Sequence, residues 1–142
     1  MGVSENGLEP FLRMAGVQLG SCGPDRATVV QPPVPELENH VGVRHASALH
    51  AAGYAAARAL AEAAIAAAGS SARLRLKQSE IAYKAMGLGS LETVAEPADE
   101  EWEAAIAGLD CGDSVVLRCS ASFPTVGKAY AIVSFDRARV TK

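Results

Sequence analysis

Cysteine is scarce in this 142-residue chain, and the three that occur, Cys22, Cys111 and Cys119, show no Cys-x-x-Cys spacing. An odd number of cysteines without that spacing predicts neither a disulfide framework nor a zinc site. We therefore expect free thiols in a reducing compartment, with the cysteines packed in the interior and not acting as nucleophiles.

Basic residues are too few to give the chain a positive charge. The 13 Lys and Arg residues are outnumbered by 16 Asp and Glu, which gives a net charge of -3 at pH 7. Binding to nucleic acid or to anionic lipid needs a basic surface, so we expect neither as a partner.

A long, uninterrupted apolar run is also missing. The longest apolar stretch, residues 46–68, carries His50, Arg58 and Glu62 and is mostly alanine, which is a weak membrane former. The first residues, Met1 to Gly7, lack the basic and then apolar pattern of a signal peptide. We expect a cytoplasmic protein without a membrane segment.

The remaining composition is typical of one globular domain covering residues 1–142. Hydrophobic residues make up 49% of the chain and charged residues 20%, and there is no internal repeat or low-complexity linker. Local patterns predict a short helix near residues 8–15 and strands at residues 17–22, 27–32, 73–83, 91–94, 115–123 and 130–140. A shift in the apolar alternation predicts a bulge or a change of neighbouring strand near residues 78–80. Pro97 is predicted to open a second short helix, with Trp102, Ile106 and Leu109 facing the core.

The most informative segment is a long alanine-rich helix. Fourteen of the 23 residues from Ala46 to Ala68 are alanine, the best helix former, and Gly69 closes the helix. The polar residues follow steps of three or four, which places them on one narrow face: Ser47, His50, Tyr54, Arg58 and Glu62. Small apolar faces elsewhere allow close packing on a sheet. The order of elements therefore predicts an α+β fold, with an antiparallel sheet curled around this helix.

The entry to this helix resembles a motif of the hotdog fold, in particular of the phenylacetate-type thioesterases and their uncharacterised relatives. That motif is Asn-x-x-Gly-x-x-His followed by two small residues and the central helix. It is matched here by Asn39, Gly42, His45, Ala46 and Ser47. The resemblance covers nearly the whole chain and implies a homodimer, often paired again into a tetramer, with active sites at the subunit interface.

The resemblance also implies a substrate and a mechanism. Acyl thioesters of coenzyme A or of acyl carrier protein are the usual substrates, with no further cofactor. Water attacks the thioester carbonyl, which docks at the start of the central helix, where the N–H of Ala46 or Ser47 would stabilise the oxyanion. Asn39, Gly42 and His45 could instead only shape the loop and cap the helix.

One position departs from the family pattern. An Asp or Glu usually follows nine residues after the motif histidine, and this chain has Tyr54 there. A phenol keeps its proton at neutral pH and is a poor base. His50, one turn earlier on the polar face, is our candidate replacement base, because imidazole exchanges protons near neutral pH. Alternatively, Ser79 or Glu80 of a neighbouring subunit could supply the function, or His50 and Tyr54 could be the polar edge of a packed helix.

Other candidate residues are less specific. Tyr83 and Met86 follow the position where the family usually places an apolar residue of the acyl pocket. Arg73, Arg75 and Lys77 share one strand face, which could contact coenzyme A phosphates or could simply face solvent. Arg58 and Glu62 have the spacing of a structural ion pair.

Three functions follow from this pattern. The leading one is thioester hydrolysis with Tyr54 in place of the usual carboxylate. A second is a non-catalytic hotdog protein that binds an acyl or polyketide-like ligand. A dehydratase or isomerase on the same fold would need a histidine facing a carboxylate across the dimer, a pairing that the sequence does not show.

Overall fold

A computed structural model of the chain describes residues 10–32, 46–70, 73–82, 91–98, 100, 102–110, 116–123 and 130–137. Six of the described segments are strands and three are helices. The strands are β1 (Gln18–Cys22), β2 (Ala27–Gln31), β3 (Leu74–Ala82), β4 (Leu91–Pro97), β5 (Leu117–Ser122) and β6 (Tyr130–Arg137). The helices are α1 (Pro10–Met14), α2 (Ala46–Ala67) and α3 (Trp102–Asp110).

All strand pairs in the described sheet are antiparallel, in the order β1-β2-β4-β5-β6-β3. Side chains alternate across each strand, so one face of the sheet is apolar and covered while the other is more exposed. In β2 and β5 every second residue is fully or nearly fully buried. The predicted α+β fold, with an antiparallel sheet and one long helix, is confirmed.

Helix α2 packs on the inner face of the sheet, mainly against β2, β4, β5 and β6. Many of its alanines are completely buried, for example Ala52, Ala56 and Ala61. Gly53 shows how close the approach is, since a Cβ atom there would lie 3.3 Å from the Cβ of Ala131. The small side chains of α2 therefore set the short distance between helix and sheet.

The end of α2 follows the sequence prediction. Gly69 has a positive φ of 74°, a conformation that glycine adopts without strain. The N–H of Ser70 then donates to the carbonyl of Ile65 at 2.9 Å, which pairs a carbonyl left open in the last turn. The chain can then turn back toward β3.

Two features of the second half of the chain differ from the sequence prediction. The register of β3 on β6 shifts between Leu76 and Gln78, so the expected bulge is present, one residue before the predicted range. The prediction that Pro97 opens a helix was wrong, because Pro97 ends β4 opposite Cys119 and α3 begins at Trp102. A proline can end a strand because its missing N–H removes only the last ladder bond.

Candidate functional site

Helix α2 carries one polar face, as the sequence predicts. His50, Tyr54, Arg58 and Glu62 are all half-buried, whereas most of the remaining helix is buried against the sheet. These side chains lie along the side of α2 that faces strand β3, because His50 contacts Ser79 and Arg58 contacts the carbonyl of Leu74. The candidate site is therefore the strip between α2 and β3.

A short polar contact in this strip joins His50 and Ser79. Nε2 of the imidazole lies 2.6 Å from Oγ of the serine, and both residues are half-buried. In the tautomer with its proton on Nδ1, the imidazole accepts the serine proton at Nε2. A base and a hydroxyl at hydrogen-bond distance are the minimum arrangement for activating a nucleophile.

The bulge in β3 explains why Ser79 faces the helix. Leu76 lies opposite the inward-facing Phe135, and without the bulge the next inward residue would be Gln78. The extra residue at position 77 shifts the phase by one, so that Ser79 lies opposite the inward-facing Val133. The bulge thus brings a hydroxyl to the imidazole.

Glu80 lies on the opposite face of the same strand. It is exposed, and its Oε1 accepts a hydrogen bond from Nε2 of Gln78 at 2.8 Å. The structure therefore brings Ser79 to His50 within one chain and leaves Glu80 on the outer face. Arg73, Arg75 and Lys77 are likewise exposed.

Tyr54, at the position of the family carboxylate, belongs to a network around Arg58. Nη1 of Arg58 donates to the Tyr54 hydroxyl at 3.2 Å, and Nη2 donates to the carbonyl of Leu74 at 3.4 Å. Nε of Arg58 pairs with Glu62 at 3.3 Å, which confirms the predicted ion pair. The guanidinium also lies over the ring of Phe135, 5.9 Å from its centroid. This network ties α2 to the start of β3.

The first turn of α2 lies next to the His50–Ser79 pair. The helix begins at Ala46 and continues through Ser47, and His50 follows one turn later. Residues four apart share one face of a helix, so His50 lies on the same face as Ala46, one turn from the start of α2. The first N–H groups of a helix have no partner within it and attract negative charge. The strip thus combines a base, a hydroxyl and donors suited to an oxyanion.

Several predicted site residues fall outside the described part of the chain: Asn39, Gly42, His45, Tyr83 and Met86. Their assignments stay predictions.

Gln31 is a buried polar residue that the sequence reasoning did not single out. Its Nε2 donates to the carbonyl of Ala15 at 2.8 Å and to that of Ala48 at 3.0 Å. Ala48 lies in the first turns of α2, so this amide fixes the helix two residues before His50. The signal was available, because alternation along β2 puts Gln31 in phase with the inward residues Ala27 and Val29.

The described cysteines do not take part in the site. Cys119 is buried and its Sγ lies 3.7 Å from the carbonyl oxygen of Ala57, as expected for a packed thiol. Cys22 is exposed on β1, which corrects the expectation of an interior position. Partial burial nevertheless raises the pKa of the Cys22 thiol, which reduces the thiolate fraction that could act as a nucleophile.

In the described ranges, no cluster of three or more His, Cys, Asp or Glu side chains is placed to hold a metal ion. Nor does any helix within those ranges have the length and apolar character that crossing a membrane requires.

Comparison with known families decides where the chain belongs. The sequence profile described as "Domain of unknown function (DUF4442)" matches residues 6–121, most of the chain. The protein is a member of this DUF4442 family. A comparison with curated proteins finds no match.

Solved structures of similar shape support the fold. A candidate esterase from Mycobacterium tuberculosis superposes with a TM-score of 0.70 at 18% identity, covering 94% of this chain and 100% of the other. A candidate thioesterase from Shewanella oneidensis gives 0.73 at 12% identity, covering 92% and 88%. A Streptococcus mutans protein bound to acetyl CoA gives 0.62 at 15% identity, covering 89% and 91%. At these identities the likeness concerns the fold, and it confirms the hotdog architecture.

Proposed function

We propose that this DUF4442 protein hydrolyses acyl thioesters of coenzyme A or of an acyl carrier protein. The observation that carries the proposal is the 2.6 Å contact between His50 Nε2 and Ser79 Oγ beside the first turn of α2. Thioester hydrolysis needs a base, a nucleophile and stabilisation of an oxyanion, and this strip offers a group for each.

His50 is the base in this proposal. It takes a proton from the nucleophile as the carbonyl carbon is attacked, and it returns the proton to the leaving thiolate. The N–H groups of Ala46 and Ser47 donate hydrogen bonds to the carbonyl oxygen as it becomes negative. The missing family carboxylate is then not required, because a histidine on the same helix face takes over the proton transfer.

The fold relatives support the choice of substrate class. Two of them are named as a candidate esterase and a candidate thioesterase, and a third is bound to acetyl CoA. These names belong to those proteins, whose sequences are under 25% identical to this chain. They make acyl-CoA the first substrate class to test.

The test is a hydrolysis assay with purified protein and a panel of acetyl, hexanoyl and phenylacetyl thioesters. Each acyl group is supplied on coenzyme A and on pantetheine, so that the contribution of the nucleotide phosphates is measured separately. We expect hydrolysis of at least one member above the uncatalysed rate, and a loss of about 100-fold or more in His50→Gln. Circular dichroism and thermal unfolding of the variant establish that it is folded.

Failure of every thioester in the panel would contradict the enzyme proposal. The alternative is a non-catalytic protein that binds an acyl or polyketide-like ligand, and the observation that favours it is the Tyr54 hydroxyl held by Arg58 at the carboxylate position. Calorimetric binding of acyl-CoA without turnover, with the same affinity in His50→Gln, would support that alternative.

A further inference from the structure

We infer that Ser79 is the nucleophile of this site and that hydrolysis proceeds through an acyl-serine intermediate. The inference rests on the proposed thioesterase function and specifies its mechanism. It replaces direct attack by water with two transfers of the acyl group.

The Nε2 atom of His50 already has a partner in the structure. The position that an attacking water would need, at hydrogen-bond distance from Nε2 of His50, is held by the Ser79 hydroxyl at 2.6 Å. Direct activation of water by this nitrogen would require Ser79 to move away. The proton that His50 is placed to accept is therefore that of the serine.

The fold orients the Ser79 hydroxyl toward the imidazole of His50. Ser79 is half-buried on β3, on the side of the strand that contacts α2. Water therefore competes less for its hydrogen bond with His50 Nε2 than it would at an exposed position. Its inward orientation results from the bulge between Leu76 and Gln78, and bulges often redirect a side chain beside an active site. Its neighbour Glu80 is exposed on the other face, so only the serine reaches the imidazole.

Both acyl transfers balance with Ser79, His50, the thioester and one water molecule. In the first step Ser79 Oγ bonds to the thioester carbon and the carbon–sulfur bond breaks, while the serine proton passes through His50 to the leaving thiolate. In the second step water bonds to the acyl carbon and the ester bond to Oγ breaks, with the water proton returned through His50 to Oγ. The sum is thioester plus water giving a carboxylic acid and a thiol.

The experiment follows the fate of the acyl group at residue 79. Wild-type protein, Ser79→Ala and Ser79→Cys are mixed with hexanoyl-CoA, quenched in acid, digested and analysed by mass spectrometry, and hydrolysis is measured in parallel. We expect a hexanoyl group on the peptide containing residue 79 in the wild type or in Ser79→Cys, whose thiol is a stronger nucleophile than the serine hydroxyl. We also expect Ser79→Ala to lose about 100-fold or more of the activity.

Ser122→Ala is the matched control, because Ser122 is an exposed serine on the outer face of β5. It should hydrolyse like the wild type. Wild-type hydrolysis with no acyl group at residue 79 in either protein, or with Ser79→Ala within tenfold of the wild type, would overturn the inference and leave the thioesterase proposal standing. Absence of hydrolysis in the wild type with every thioester of the panel would instead refute the proposed function.

Discussion

At the scale of single residues, one buried amide on β2 joins the chain after α1 to the start of α2. Gln31 is fully buried on β2, and its Nε2 reaches the carbonyls of Ala15 and Ala48. A buried carbonyl that loses its donor costs about 1 to 3 kcal/mol. Gln31 therefore stabilises the fold and holds the start of α2 in place.

Replacing this amide tests that role. Gln31→Met keeps the length of the side chain and removes the donor, so we predict a loss of about 1 to 3 kcal/mol in the free energy of unfolding. Urea unfolding followed by circular dichroism measures it. Gln18→Met is the control, because Gln18 is exposed on β1. Equal stability of the two variants would show that the two hydrogen bonds contribute little.

At the scale of elements, the alanine content of α2 is a packing requirement and not only a helix preference. Ala56 has no exposed surface. At Gly53, one turn away, even an added Cβ atom would lie only 3.3 Å from the Cβ of Ala131. Extra side-chain volume at such a position forces helix and sheet apart. The short distance between α2 and the sheet also brings His50 within reach of β3.

This requirement is testable with one substitution at two positions of the same helix. Ala56→Leu should destabilise the protein by about 1 to 3 kcal/mol, because leucine overfills the interface with the sheet. Ala67→Leu, at an exposed position of α2, should change stability little, since alanine and leucine have similar helix propensities. Thermal unfolding compares the two. A similar midpoint for both variants would mean that the interface can accommodate the larger side chain.

Local sequence patterns predicted several of these helices and strands. The alanine run and its polar face predicted α2 and the position of His50, and the change of alternation in β3 predicted its bulge. Pro97 misled the prediction, because proline fits the first turn of a helix as well as the end of a strand. A local pattern does not distinguish these two contexts.

The pairing of His50 with Ser79 could not be derived in the same way. It depends on β3 lying beside β6, a contact between distant segments, and on the single extra residue that turns Ser79 inward. The sequence reasoning therefore named Ser79 or Glu80 of a neighbouring subunit only as an alternative to His50. Adjacent residues of a strand face opposite sides of the sheet, and the register on β6 decides that Ser79 faces the helix and Glu80 does not.

At the scale of the whole molecule, the two edges of the described sheet differ. β1 is five residues long, with an irregular register on β2, whereas β3 has nine residues and carries the exposed Leu76. A long edge strand with an exposed apolar side chain is a template for pairing with another chain. We predict that the protein is a homodimer joined along β3, the same strand that holds Ser79.

The dimer is tested by light scattering at micromolar concentration. Leu76, 43% exposed, is replaced by Asp, and we expect the mass to shift from dimer toward monomer because a charge would be buried at the new interface. Met14→Asp is the control: Met14 is 82% exposed but lies on α1, so this variant should remain dimeric. A monomeric wild type, or a Leu76→Asp protein that remains dimeric, would contradict pairing along β3.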